Sequence, residues 1–286
     1  MEPNHGTWRR DESILNRVLQ PVKISSLPWK AGMPLQCEQQ APRDLAGDAA
    51  GKEYWNSIWE KLPPVERYEG PVYEQHPVLA RFLSNAGGGD AIEIGCGTGS
   101  YMIYINKEFG YRIDGLDYSD NMEYVRANLL HNGIHDSELF NADFFKFVPP
   151  KKYDLVLSGG FAEHFDDHEL VVRRHAEWAK PGGLVVIIVP NLTHIHRLLC
   201  RLFAPDLLRV HRFPLMRHDV MRQTLENAGL RVLHCEYHKT FRPTYKVPGI
   251  INLSFKVIQR ILQASRLDDL GNRFGSPYLI SVSRKN

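Results

Sequence analysis

The chain has 286 residues, of which 43% are hydrophobic and 24% charged, with a formal net charge of +2. That balance is that of a soluble globular protein, one large domain with appendages and enough apolar residues for a sizeable core. So slight a net charge gives no bulk electrostatic case for a nucleic-acid partner.

The amino terminus, MEPNHGTWRRDES, is polar and charged rather than a signal peptide, and the apolar run Leu184–Pro190 is far too short to cross a bilayer. A cytoplasmic protein is expected. Cys37, Cys96, Cys200 and Cys235 lack metal-ligand spacing, which fits a reducing compartment and no structural zinc.

Residues 1–50 read as an appendage, disordered or folded over the domain, with one helical piece at Asp11–Gln20. An aromatic amphipathic helix follows over Glu53–Lys61, stopped by Pro63-Pro64. A second helix at His76–Ser84 leads into Asp90–Gly99, where the apolar run Ala91–Ile94 ends in Gly95, Gly97 and Gly99. Beyond it, strands and helices alternate. Tyr101–Phe109 is helical and closes at Gly110, Tyr111–Leu116 is a strand, and Asp120-x-x-Glu123 is a capping box opening a helix through Leu130. Glu138–Asn141 and Tyr153–Leu157 are strands, Leu170–Ala179 a helix stopped by Pro181-Gly182-Gly183, and Leu184–Val189 a continuous apolar strand. His218–Ala228 is a helix ended by Gly229, Leu230–Glu236 a strand and Tyr278–Ser283 a terminal strand. Unbroken apolar strands that alternate with helices predict a parallel sheet covered on both faces, a doubly wound α/β domain.

Glycines between a strand and a helix leave backbone free to approach a nucleotide-like ligand. A dinucleotide wants G-x-G-x-x-G, whereas this loop is G-x-G-x-G with Glu93 two residues ahead of it. An acid there repels phosphate and suits a ligand bearing an amino group and a sulfonium, such as S-adenosylmethionine. Asp117 ends the next strand and is placed to grip two ribose hydroxyls, although NAD also carries a ribose. Asn141-Ala142-Asp143-Phe144 ends the third strand and offers an acceptor for an adenine amino group.

With E-I-G-C-G-T-G at 93–99, D-Y-S-D-N-M at 117–122, N-A-D-F at 141–144, Y-D-L-V-L-S at 153–158 and K-P-G-G at 180–183, the chain resembles the class I S-adenosylmethionine-dependent methyltransferases from about Glu53 onward. The resemblance implies a Rossmann-like sheet of seven strands, mostly parallel, with the last strand antiparallel beside the fifth, helices on both faces and a helical cap, the domain spanning residues 51–286. It implies a cofactor site of Glu93, Gly95, Cys96, Gly97, Gly99, Asp117, Tyr118, Met122, Asp143, Phe144 and Ser158. Plainer roles exist for some of them: Glu93 capping amides of its own loop, Met122 in the core, Asp120 as a helix cap.

Methyl transfer needs proximity and alignment, and a base only when the acceptor arrives protonated. His164, directly after the fourth strand, is the candidate base, with a loop-organising role as the simpler alternative. Relatives that use E-x-x-E-H in this loop bind a divalent metal, but Gly160 stands where the first glutamate would be. No metal is therefore expected, and chelators are expected to leave activity intact.

On the acceptor side, Tyr54 is read as the residue closing over the cofactor, while Trp55 and Trp59 pack their helix onto the sheet. The insertion Thr193–Arg222 carries six arginines against Asp206 and Asp219, interleaved with leucines. It forms a basic amphipathic cap, either a solvated helical face or a surface for an anionic or lipophilic acceptor or a membrane. Ile250–Leu262 repeats that pattern and extends the wall. The expected reaction is methylation of a small organic acceptor, at oxygen. The alternatives are an NAD-dependent oxidoreductase, a nucleic-acid or protein methyltransferase and a non-catalytic module. The first is disfavoured by the glycine spacing, the second by the absence of prolines in Ser158-Gly159-Gly160-Phe161, the third by acids at three successive strand tips.

Overall fold

The computed structural model describes residues 48–59, 67–71, 73–84, 86–239, 245, 247–265 and 271–286. The helix expected at 11–20 and the proline stop at 63–64 lie outside them, as does all of the appendage before Asp48.

Seven strands form one sheet in the order β3-β2-β1-β4-β5-β7-β6. They are β1 (Gly89–Ile94), β2 (Tyr111–Asp117), β3 (Leu139–Asn141), β4 (Tyr153–Gly159), β5 (Ala179–Pro190), β6 (Leu230–His238) and β7 (Tyr278–Lys285). The first five are parallel, and β7 runs antiparallel to both β5 and β6. The helices in chain order are α1 (Gly51–Trp59), α2 (His76–Leu83), α3 (Ser100–Phe109), α4 (Met122–His131), α5 (His168–Trp178), α6 (His194–Phe203), α7 (Leu207–Val210), α8 (His218–Asn227) and α9 (Gly249–Ala264).

Alternate residues of the central strands feed two cores, which is why those strands read as unbroken apolar runs. Val185, Ile187 and Val189 of β5 join Ile92, Ile94 and Trp178 on one face. Leu184, Val186 and Ile188 join Ala91, Met102 and Ile113 on the other. The strand order reverses between β1 and β4, so the crevice at their carboxyl ends is where such a sheet takes a ligand.

Two local expectations need correction. The Pro181-Gly182-Gly183 turn lies inside β5 as a bulge: pairing jumps from Tyr153↔Ala179 to Leu155↔Leu184. A Cβ on Gly183 would sit 2.9 Å from the Lys180 carbonyl oxygen, so only glycine lets the strand fold back that closely. Nor does Asp120 cap α4. The helix begins after Asn121 with no side-chain cap, because Asp120 is taken by α1: its carboxylate accepts from Asn56 Nδ2 at 3.0 Å and pairs with Lys52 Nζ at 2.6 Å.

Candidate functional site

The glycine loop is held by backbone groups that its neighbours would otherwise leave unsatisfied. Gly95 and Cys96 donate to the Leu116 carbonyl at 2.8 and 3.1 Å, and Gly97 N donates to Asp117 Oδ2 at 2.8 Å. Asn121 Nδ2 donates to the Gly97 carbonyl, and Asn128 Nδ2 to that of Thr98 at 2.9 Å. Sequence reading missed both asparagines, since an amide that serves a loop far away in the chain has no local pattern. At Gly97 the backbone is left-handed (φ 51°), and the space where a Cβ would stand is 3.1 Å from the Trp59 ring.

Around this loop lies a cavity of about 140 Å³, lined by Glu93, Gly95, Cys96, Gly97, Asp117, Tyr118, Asp143, Phe144 and His164 among the expected site residues. Gly99, Met122 and Ser158 do not line it. Gly99 caps α3 with φ 74°, Met122 packs against the core beneath, and the buried Ser158 hydroxyl is held 3.0 Å from His175 Nε2. The Ser158 side chain is thus used on the far side of the strand.

Tyr54, expected to close over the cofactor, and the tryptophans, expected to pack their helix onto the sheet, stand differently. Trp55 and Trp59 line the cavity and Tyr54 does not. Trp59 reaches Gly97 because that residue has no side chain to exclude it, and Trp55 sets its ring edge-on to His164 with centroids 4.8 Å apart. Burial holds the Tyr54 phenol above its ordinary range, with the Asp206 carboxylate adding to the rise. The helix bearing these rings is held along its amino-terminal half by Lys52 and Asn56 on Asp120, and just before it by the Asp48↔Phe165 bridge with Ala49 N donating to the His164 carbonyl at 2.9 Å.

Glu93 is 2% exposed, and its Oε2 has no hydrogen-bond partner. Burial, reinforced by the nearby Asp117 carboxylate, raises its pKa well above the usual range. A buried carboxylate with a free oxygen beside a glycine loop fits a cationic amino group, whose arrival would restore its charge. Asp117 accepts on both oxygens, from Gly97 N and from the Ser119 amide and hydroxyl at 2.8 and 2.6 Å, and it lines the cavity with acceptor capacity left over. Asp143 accepts from Phe145 N at 2.9 Å and pairs with Lys146 at 3.1 Å, while Phe144 packs on Phe161 and Trp178.

His164 is 2% exposed, and its Nδ1 donates to the Val210 carbonyl at 2.6 Å, leaving the lone pair on Nε2. Burial pushes its pKa down to about 4, which makes it a neutral but weak proton acceptor. Nε2 lies 3.8 Å from Glu163 Oε1. The loop 163–166 also carries the cap: Arg212 N donates to the Glu163 carbonyl at 2.6 Å and Arg212 Nε to Asp166. His211 thereby comes within 4.6 Å of His164, centroid to centroid. The cap itself splits by side. Leu199, Leu207 and Leu208 pack inward, whereas Leu198 and Leu202 are 53% and 63% exposed beside Arg197 and Arg201.

The family described as a methyltransferase domain matches residues 71–235, more than half of the chain. A ubiquinone biosynthesis O-methyltransferase of a Chelativorans species is 28% identical over 64% of this chain and 77% of its own length. That of Thiobacillus denitrificans is 27% identical over 52% of this chain, and the match spans 65% of its length, just under two thirds. The S-adenosylmethionine-dependent methyltransferase structure from Mesorhizobium loti shares the fold with a TM-score of 0.51 at 20% identity, over 75% of this chain and 99% of that one. With a buried carboxylate that keeps one unpartnered oxygen, a glycine-rich loop and an acid at the second strand tip gathered at one crevice, the chain belongs to the methyltransferase domain family, as an enzyme that takes S-adenosylmethionine.

Proposed function

We propose that this enzyme methylates a small organic acceptor of apolar character, at oxygen. The observation that carries the reading is the aromatic lining of the cavity, where Trp55, Phe145, Phe161 and Phe165 stand with His164 among them. An enclosed aromatic wall favours an apolar or aromatic acceptor and has no track for a polymer. The O-methyltransferase relatives support oxygen as the acceptor atom.

When bound, S-adenosylmethionine supplies an activated methyl group on a sulfonium that is already charged. Glu93 and the Gly95–Gly97 backbone would hold its amino-acid end and Asp117 its ribose, with Asp143 and Phe144 at the base. Trp55 and Trp59 exclude water from the reacting face and present π-electrons to a cation. The protein's contribution is alignment and desolvation. The apolar residues turned outward on the cap, with arginines beside them, suit a lipophilic acceptor collected at a membrane surface.

A panel of matched acceptors, one bearing a phenolic hydroxyl, one an amine and one neither, tests the acceptor atom by release of S-adenosylhomocysteine. Turnover with the hydroxyl compound at least tenfold above the amine is expected. A preference for the amine overturns the oxygen assignment.

A further inference from the structure

Glu163 is 1% exposed, and neither of its carboxylate oxygens has a hydrogen-bond partner. The same holds for His164 Nε2. Two strong acceptors face each other at 3.8 Å, too far for a hydrogen bond between them. His211, 2% exposed and brought over from the cap, completes a group in which one donor atom of each residue lies within 4.8 Å of the others. A buried carboxylate between two imidazoles is costly unless something cationic joins them.

We infer that Glu163, His164 and His211 form a binding site for a divalent transition-metal ion of the zinc or manganese type. Two imidazoles and one carboxylate suit these ions better than magnesium or calcium, which prefer oxygen ligands. Ligand bonds of about 2.0–2.2 Å bring donor atoms to roughly 3.0–3.6 Å of one another, so the Glu163–His164 pair at 3.8 Å closes with a small shift, and the donor atoms of all three residues, within 4.8 Å of one another, close with side-chain movements of about 1 Å.

Both rings are already oriented for the task. His164 Nδ1 donates to the Val210 carbonyl and His211 Nδ1 to that of Leu207, each at 2.6 Å. Such second hydrogen bonds fix the tautomer and aim of ligating histidines. Gly160 does leave out one carboxylate: a Cβ there would stand 3.7 Å from Glu163 Oε1. The third ligand comes from the cap instead, which the sequence around the loop could not reveal. This reverses the expectation drawn from Gly160.

The site ties the cap to the loop that bounds the cavity, since His164 lines that cavity. Three protein ligands leave at least one coordination position for water or an acceptor oxygen. A bound ion therefore locks the wall of the acceptor pocket.

The full chain, stripped with EDTA and dialysed, is titrated with zinc and separately with manganese, and bound metal is counted by mass spectrometry. One equivalent of metal is expected, with affinity at least ~100-fold weaker in Glu163→Gln and His211→Gln. No retained metal, or variants that bind as the parent does, overturns the site. Should either variant fold poorly, the cobalt form of the parent chain decides: a ligand-field spectrum in the visible supports the site, and the spectrum of aqueous cobalt overturns it. Binding of S-adenosylmethionine, measured on the same preparation without metal, keeps failure of this site distinct from failure of the methyl-transfer reading.

Discussion

At Asp117 one carboxylate holds three donors: the Gly97 amide, the Ser119 amide and the Ser119 hydroxyl. Asp117→Asn turns an amide group toward donors that already fill that space, leaving at least one buried donor unpaired at about 1–3 kcal/mol. Calorimetry is expected to show S-adenosylmethionine binding weakened at least tenfold with the circular dichroism spectrum unchanged; parent-like affinity would count against the assignment. A second residue-scale expectation concerns His175, fully buried, with Nδ1 donating to the Val171 carbonyl at 2.8 Å and Nε2 accepting from Ser158 at 3.0 Å. Burial lowers its pKa to about 4 from an ordinary 6.5. As pH falls the unfolded chain takes this proton first, so the contribution is whole above about pH 6.5 and drains away toward pH 4, at up to about 1.4 kcal/mol per pH unit. Denaturant titrations at pH 7.5 and 5 should show that loss, and His175→Gln should reduce the slope by about one proton. The acids of the site were legible as single letters, because Glu93, Asp117 and Asp143 each stand at or near the point where a short apolar strand stops. The roles of Ser158 and His211 were not, since each depends on a partner from a distant element.

At the scale of elements, α1 lies over the glycine loop and bounds the cavity. Trp55 and Trp59 of α1 line that cavity, so α1 is expected to act as a lid that moves when a nucleotide-sized ligand enters or leaves. Asp48 holds the near end, accepting from Ala50 N and Gly51 N at 2.9 and 3.2 Å. Asp48→Ala removes those bonds at about 1 kcal/mol. Faster limited proteolysis near residue 50 is expected, with lower turnover and an unchanged Tm of the sheet domain; an unchanged cleavage rate would deny α1 the part of a lid. Helical periodicity identified α1 and its aromatic stripe. It could not say which ring faces inward, because the docking direction is set by Asp120 and Phe165, far along the chain.

For the whole molecule, the seven-stranded sheet and the antiparallel last strand beside the fifth followed from the resemblance, and the alternation of apolar strands with helices supported the parallel part physically. The bulge in β5 was hidden because Pro-Gly-Gly reads locally as a turn. Among the described residues no helix is long and apolar enough to cross a membrane, yet Leu198 and Leu202 of α6 and Leu253, Val257 and Ile261 of α9 are largely exposed. With the basic residues beside them, these faces predict co-sedimentation with anionic vesicles that weakens with salt and with Leu198→Ser/Leu202→Ser. Equal recovery with neutral vesicles would argue against that surface.

The central claim is methyl transfer to a small acceptor. The full enzyme is incubated with methyl-labelled S-adenosylmethionine and a cell extract, and the label is traced to the small-molecule, protein and RNA fractions. The account predicts label in a small molecule that partitions into organic solvent, at a level that falls with Asp117→Asn. Label confined to protein or RNA would contradict it.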